Sequence, residues 1–231
     1  MRQLLNINKR IIAKRSLGQN FIHNEEFLHK LSKKIISDYN TDIIEIGPGT
    51  GSLTNYLNKK KFNNLILIEK DIELSKILNE RYKNKKNVRI INQDALTFDL
   101  SNVSKNKEII IVGNLPFNIS SQLLIKWISY DKWPPFYNKM YLMFQKELGK
   151  RIKSQTNNKS YGKLSVLTQS RCDVKELIIA PSYIFKPKPK VDGVVLEFTP
   201  IELYMDVDLK KLNIILKTAF ENRRKKIKNS L

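Results

Sequence analysis

The chain has 231 residues, 41% of them hydrophobic, enough for one sizeable core with a small appendage but short of two full domains. Lys and Arg total 42 against 22 Asp and Glu, a net charge of +20 that favours a polyanionic partner, and no apolar run approaches the ~18 residues of a membrane span. A lone cysteine, Cys172, excludes an internal disulfide, and with only His23 and His29 beside it the composition argues against a metal site and against Cys/His nucleophilic catalysis.

Residues 1–16 lack the apolar stretch and small-residue cleavage site of a secretory signal, so a soluble cytoplasmic protein is expected, with an organellar compartment left open. Codon composition drifting towards A and T is an alternative source of the charge, since Lys, Asn and Ile are all abundant. The basic residues nevertheless cluster at two ends, as Lys9, Arg10, Lys14 and Arg15 and again as Arg223, Arg224, Lys225, Lys226 and Lys228. That pattern describes patches rather than a uniform coat.

After the basic arm, Asn24 is a candidate N-cap for a helix over 25–37 with Phe27, Leu28, Leu31 and Ile35 on one face. The β-branched run 42–46 ends in a glycine-rich turn and leads into a helix carrying Leu53 and Leu57. The same order repeats: a strand at 65–68 closing on Glu69, a helix with Ile72, Ile77 and Leu78, and a strand at 88–91 closing on Asp94. Strands alternating with helices predict an α/β fold with a mainly parallel sheet.

The apolar run 108–112 does not alternate, which predicts a strand buried on both faces, and it runs into Gly113 and Asn114-Leu-Pro-Phe117. A helix over 120–129, a strand at 140–144, a helix over 146–153, a polar loop at 155–159 and a helix over 164–169 follow. Strands are expected at 174–179 and 194–198, with 185–190 between them as a stiff, polyproline-like basic loop. A last helix over 209–220 leads into the basic tail. No internal repeat or low-complexity segment stands out.

Three features carry chemistry. In Glu45-Ile-Gly-Pro-Gly-Thr-Gly51 the glycines between strand and helix let a ligand approach the backbone at the carboxyl edge of the sheet. Ser52 stands where a dinucleotide fingerprint wants its third glycine, and no Lys-Ser/Thr pair follows as in a P-loop, so both of those readings weaken. Glu69 ends the next strand, where a carboxylate can accept from both hydroxyls of a ribose, and Asp94 ends the one after, within reach of an adenine amino group. Each acid alone is most simply a solvated strand-end charge; in series after the glycine turn they outline an adenosine-shaped site.

The third feature is 114–117. Asn114 offers a side-chain carbonyl, Pro116 has no N–H, and the Asn114 and Leu115 carbonyls can face outward as acceptors while Phe117 offers a flat stacking surface. An exocyclic aryl amine is a poor nucleophile because its lone pair is delocalised into the ring. Two acceptors that hold its protons favour a more pyramidal, lone-pair-forward geometry as a methyl group arrives.

These residues resemble a known family, the KsgA-type small-subunit ribosomal RNA adenine dimethyltransferases, which use S-adenosylmethionine. The resemblance runs from RSLGQNFI (15–22) through EIGPGTG (45–51), IEKD (68–71), QDAL (93–96), NLPFNIS (114–120), FQKE (144–147), YGKLSVL (161–167) and FKPKPKVDG (185–193) to AFENRRKK (219–226), almost the whole chain. It implies a Rossmann-like class I methyltransferase domain over 1–200, including a basic arm at 1–19, with a doubly wound, mostly parallel seven-stranded sheet whose last strand is antiparallel. Residues 201–231 would form a short part of a C-terminal helical domain, because family members usually continue for some tens of residues beyond the point where this chain stops.

By that resemblance, Asn20 and Ile22 would touch S-adenosylmethionine as the LGQNF segment closes over it. Gly47 would lie along its methionine part, Glu69 on the ribose, Asp94 on the adenine amine and Asn114 beside the reactive methyl. Gly49, Lys70 and Ala95 complete the cofactor-binding set, and no metal is implied. The target adenine would be flipped from its RNA hairpin and stacked on Phe117, with Asn114 and the Leu115 carbonyl on its N6 and Pro116 shaping the loop. Two transfers to each of two adjacent adenosines would give N6,N6-dimethyladenosine during maturation of the small ribosomal subunit, with S-adenosylhomocysteine as by-product. Position 117 is Phe where the family more often has Tyr, and the stacking face survives the change.

Lys186, Lys188, Lys190, Arg223, Arg224, Lys225 and Lys226 are candidate phosphate contacts, and a monomer is expected. Two alternatives stay open: another adenine-N6 methyltransferase acting on large-subunit RNA or DNA, and a non-catalytic RNA-binding ribosome assembly factor. DNA enzymes of this chemistry typically show D-P-P-Y in place of N-L-P-F, and FKPKPKVDG with AFENRRKK favours the small-subunit reading. The intact glycine turn with Glu69, Asp94 and Asn114 argues for a working site.

Overall fold

Glu108–Gly113 (β5) shows how the sheet is built: Ile109 and Ile111 enter one hydrophobic cluster, Ile110 and Val112 the other, because successive side chains leave opposite faces. Thr41–Ile46 (β2), Leu65–Ile68 (β3) and Lys139–Gln145 (β6) divide their apolar residues in the same way. A strand buried on both faces needs helices on both, which is the reason its apolar run does not alternate. The computed structural model describes residues 13–130, 132–203 and 207–221.

Seven strands form the main sheet. To the four above are added Val88–Ile91 (β4), Cys172–Ala180 (β7) and Gly193–Pro200 (β9), in the spatial order β4-β3-β2-β5-β6-β9-β7. The pairs from β4 to β6 are parallel; β9 runs antiparallel to β6 on one side and β7 on the other. The order reverses direction at β2, so β2 and β5 open a crevice at their carboxyl ends, the place where an open α/β sheet binds ligands.

Glu25–Lys34 (α1) starts at Asn24, whose side chain accepts from the Phe27 N–H at 2.8 Å, a cap of about 1 kcal/mol. It stops three residues short of the expected 37 because Ile35 turns extended. The helices Ser52–Leu57 (α2), Ile72–Tyr82 (α3), Ser120–Ile128 (α4), Lys146–Ile152 (α5) and Lys163–Gln169 (α6) follow the expected order. Leu209–Glu221 (α7) buries Leu216 in the main core, with Leu209, Leu212 and Phe220 packed against it.

One pairing departs from the sequence reading. Phe185 and Lys186, expected to open a polyproline-like loop, instead form a two-residue strand (β8) antiparallel to Phe21–Ile22 (β1), with Phe21 opposite Lys186 and Ile22 opposite Phe185. Two residues carry no readable periodicity, and their partner lies more than 160 positions away. The pairing ties the segment before α1 to the loop before β9. Among the described residues no helix is long and apolar enough to cross a membrane.

Candidate active site

The site grows from the carboxyl ends of β2, β3, β4 and β5. After β2 the chain turns through Gly47 and Gly49, whose φ values of +64° and +59° only glycine adopts without strain. A Cβ on Gly47 would point into open space within the cleft, whereas one on Gly49 would press on the Phe21 ring at 3.0 Å. The Gly49 N–H donates to Glu69 Oε2 at 2.9 Å, so the turn and the end of β3 are locked together.

Glu69 is nearly buried, and its other oxygen, Oε1, accepts from the Asp71 N–H at 2.8 Å. Burial pushes its carboxyl upward in pKa, and the two backbone donors pull against that shift. Each oxygen keeps a lone pair for a further donor, the arrangement that two neighbouring hydroxyls require. Asp94, after β4, accepts from the Leu96 N–H at 2.9 Å through Oδ1 and pairs with Lys70 at 2.8 Å through Oδ2. That Lys70 hydrogen bond, ahead of a smaller opposing burial effect, holds the Asp94 carboxyl below the usual range. Lys70 therefore reaches the cleft by way of Asp94, a pairing that the sequence order does not suggest.

Beyond β5, Asn114 Nδ2 donates to the Asn20 carbonyl at 3.0 Å. A carbonyl can only accept, so the amide orientation is fixed and Oδ1 is left as an acceptor facing away from that bond. The Leu115 carbonyl takes no hydrogen bond from the described residues, and the Ile119 N–H closes the loop on the Pro116 carbonyl at 3.1 Å. Phe117 is half-buried and meets the buried Phe185 edge-on, ring centroids 6.3 Å apart at 67°. Its partner in this contact is the β8 residue that pairs with Ile22 of β1.

All twelve residues expected at the cofactor and at the reacting amine line one cleft. Asn20 and Ile22 come from the N-terminal segment; Gly47 and Gly49 from the turn; Glu69, Lys70, Asp94 and Ala95 from the next two strand ends; 114–117 from the last. The cleft holds about 1160 Å³ of space including its open mouth, ample for a cofactor-sized molecule. Lys186, Lys188 and Lys190 are exposed, Lys186 directly opposite the cleft residue Phe21. Arg223, Arg224, Lys225 and Lys226 lie outside the described residues, as do Lys9, Arg10 and Lys228.

Sequence reasoning missed three contributors. Glu45, fully buried at the end of β2, also lines the cleft; burial raises its carboxyl to about 8, against a 2.8 Å bond from the Thr54 hydroxyl and with a small push from Glu69. The signal was present as the acid opening EIGPGTG. Asp71 caps α3 and holds the N-terminal segment, accepting from Lys14 Nζ at 3.1 Å and Gln19 Nε2 at 3.1 Å. Lys126 donates into the turn after Asp94, and nothing in sequence separates such a lysine from a solvated one. Cys172 is buried with its thiol pushed up to about 12, far from thiolate reactivity at neutral pH.

The geometry agrees with what the chain is similar to. Residues 11–231 match the family model described as ribosomal RNA adenine dimethylase. A ribosomal RNA small subunit methyltransferase A from Pelagibacter ubique is 41% identical over 94% of this chain and 81% of its own length, and one from Ehrlichia ruminantium is 40% identical over 98% and 86%. Among solved structures, a dimethyladenosine transferase from Plasmodium falciparum superposes with a TM-score of 0.79 at 26% identity, covering 89% of this chain and 72% of that one. The 23S rRNA methyltransferase ErmE shares the fold, with a TM-score of 0.74 at 20% identity over 91% and 83%. With a family match across nearly its whole length and relatives at this level of identity, the chain belongs to the ribosomal RNA adenine dimethylase family.

Proposed function

We propose that this chain transfers methyl groups from S-adenosylmethionine to N6 of two adjacent adenosines in a hairpin of small-subunit ribosomal RNA, giving N6,N6-dimethyladenosine as the subunit matures in the cytoplasm. The observation that carries the chemistry is Asn114: its Nδ2 is spent on the Asn20 carbonyl, which leaves Oδ1 as an acceptor in the cleft that Leu115 and Phe117 also line. The family match and the relatives' names support the substrate.

The residues present fit the cofactor. The lone pairs left on the buried Glu69 carboxylate suit the ribose hydroxyls, and the open space over Gly47, which a Cβ would enter, suits the methionine part. Asp94 would accept from the adenine amine in exchange for, or alongside, its Lys70 contact, with the Ala95 N–H next to it. Asn20, Ile22, Gly49 and Lys70 close the remaining walls. When bound, S-adenosylmethionine supplies an electrophilic methyl on a sulfonium and leaves as the neutral thioether S-adenosylhomocysteine.

Phe117 stacks the flipped adenine and sets the plane of its ring. Asn114 Oδ1 and the Leu115 carbonyl hold the N6 protons, turning the nitrogen lone pair towards the incoming methyl. The same two acceptors would stabilise the positive charge that builds on N6 as it takes up the methyl group the bound cofactor would supply. The methylated aryl ammonium then gives its proton to water, so no strong base is required. The monomethyl product has one N6 proton left and can accept a second methyl at the same site.

The division into a methyltransferase domain over 1–200 and a partial helical segment over 201–231 belongs to this reading, as do a monomeric state and phosphate contacts from Lys186, Lys188, Lys190 and the 223–226 cluster. Calorimetry with S-adenosylmethionine, followed by mass spectrometry of nucleosides from unmethylated small subunits incubated with protein and cofactor, tests it. Dimethyladenosine that needs both components supports the reading. Cofactor binding without product removes the proposed substrate.

A further inference from the structure

Lys126 stands on α4, the helix that begins just beyond the 114–117 loop, yet its ammonium reaches the other end of the cleft. It donates to the Ala95, Leu96 and Phe98 carbonyls at 3.0, 2.9 and 2.7 Å. An ammonium has three protons, and here each has a backbone acceptor. Those carbonyls belong to a single turn that starts at Asp94, whose own carbonyl accepts from the Thr97 and Phe98 N–H groups and whose Oδ1 accepts from Leu96. A turn that does not continue as a helix leaves its last carbonyls without donors, and Lys126 supplies them. Asp94 and Asp99 are the charged groups that face it.

We propose that Lys126 is a positioning residue for the cofactor's adenine: its three-pronged hold on 95–98 fixes the turn that presents the Asp94 carboxylate and the Ala95 N–H to the cleft. The proposal rests on the cleft being an S-adenosylmethionine site. A tripod of carbonyls suits a compact ammonium better than the planar fork of arginine or the two protons of an amide.

The test is calorimetric binding of S-adenosylmethionine, S-adenosylhomocysteine and 5′-methylthioadenosine to wild type, Lys126→Met and Lys126→Arg. Lys126→Met is expected to weaken all three by about tenfold or more, the size of losing charge-assisted hydrogen bonds. Lys126→Arg should fall between it and wild type. The fragment without an amino-acid end should suffer as much as the whole cofactor, because the defect lies at the adenine. In turnover, KM for S-adenosylmethionine should rise while kcat at saturating cofactor and KM for RNA hold. Loss of folded protein would instead lower the binding stoichiometry at unchanged affinity, and Lys126→Gln provides a second variant if Met does not fold. A Lys126→Met affinity within twofold of wild type overturns the proposal while leaving the cofactor reading intact. Failure of wild type to bind S-adenosylmethionine overturns both.

Discussion

Asn114 Nδ2 and the Asn20 carbonyl meet at 3.0 Å across 94 positions of sequence, so the N-terminal segment that lines the cleft also sets the orientation of the amide expected at the reacting nitrogen. This bond makes Asn114 more than a loop residue, because a free amide could present either its oxygen or its nitrogen. Asn114→Ala is expected to lower the methylation rate at least ~100-fold, the scale of losing one preorganised acceptor, while RNA affinity changes little. Asn114→Asp should be similarly impaired, since a carboxylate would face the Asn20 carbonyl without a proton to share. Single-turnover rates alongside filter binding of RNA separate the two effects, and equal rates for Asn114→Ala and wild type would contradict the assignment.

Phe117 meets Phe185 in an edge-to-face contact and is expected to offer a face to the flipped base. Phe117→Leu should weaken productive RNA engagement about 10- to 100-fold, from stacking worth roughly 1–3 kcal/mol, without moving the affinity for S-adenosylmethionine. Phe117→Tyr keeps the ring and should keep activity. The measurement is KM for RNA beside the calorimetric cofactor affinity, and a change confined to the cofactor would count against a stacking role.

Glu45 predicts an unusual pH dependence of stability. Its carboxyl sits near 8 in the folded chain, raised mainly by burial, against about 4.5 when unfolded. Between these values the unfolded state gives up the proton that the folded state keeps. Its contribution is therefore fully present below about 4.5, drains away as pH rises to about 8 and is lost above that. Glu45→Gln can still accept from Thr54 and does not ionise. The stability of the variant should gain on wild type from pH 5 to 8, by an amount of the order of a few kcal/mol at most, and the gain should level off beyond, read as a difference in melting temperature that rises and then stays constant. A difference that stays flat over that range would show that Glu45 ionises normally.

The hold of Asp71 on Lys14 and Gln19 predicts that Asp71→Asn loosens the N-terminal segment. Asparagine keeps the α3 cap, so global stability should fall little, while proteolysis near residues 13–20 accelerates and the affinity for S-adenosylmethionine drops several-fold. Limited proteolysis with and without the cofactor reads this directly. Unchanged cleavage would mean that β1 and β8 hold the segment unaided.

RNA binding should be steeply salt-dependent, because each phosphate neutralised releases counterions. Replacing Lys186, Lys188 and Lys190 together by Gln should reduce the slope of log affinity against log salt by roughly the number of phosphates these lysines neutralise, up to about three. A slope that does not change would remove this loop from the interface.

The strand–helix alternation from β2 to β6 and the acids at the ends of β3 and β4 are legible in the sequence because burial on two faces writes long apolar runs and each strand ends in a short polar turn. The part of the cleft built on β2 to β5 follows, since parallel strands bring consecutive carboxyl ends together, whereas the N-terminal segment with Asn20 and Ile22 enters only through the family resemblance. What stays hidden depends on distant partners. The β1–β8 pair has no periodicity, and the place of β9 between β6 and β7 is not recorded in local pattern. Lys126 and Asp71 read as surface charges, because their roles lie in backbone carbonyls and side chains brought near only by folding. Lys70 stands beside Glu69 in sequence, whereas its ammonium meets Asp94.

The measurement that bears most directly on the central claim follows isotopically labelled methyl groups from S-adenosylmethionine into unmethylated small ribosomal subunits, with wild type and Asn114→Ala in parallel and the modified positions mapped. Wild type is expected to place label as N6,N6-dimethyladenosine at two adjacent adenosines, and Asn114→Ala essentially none. Label on DNA or large-subunit RNA only, or equal label from both proteins, would contradict it.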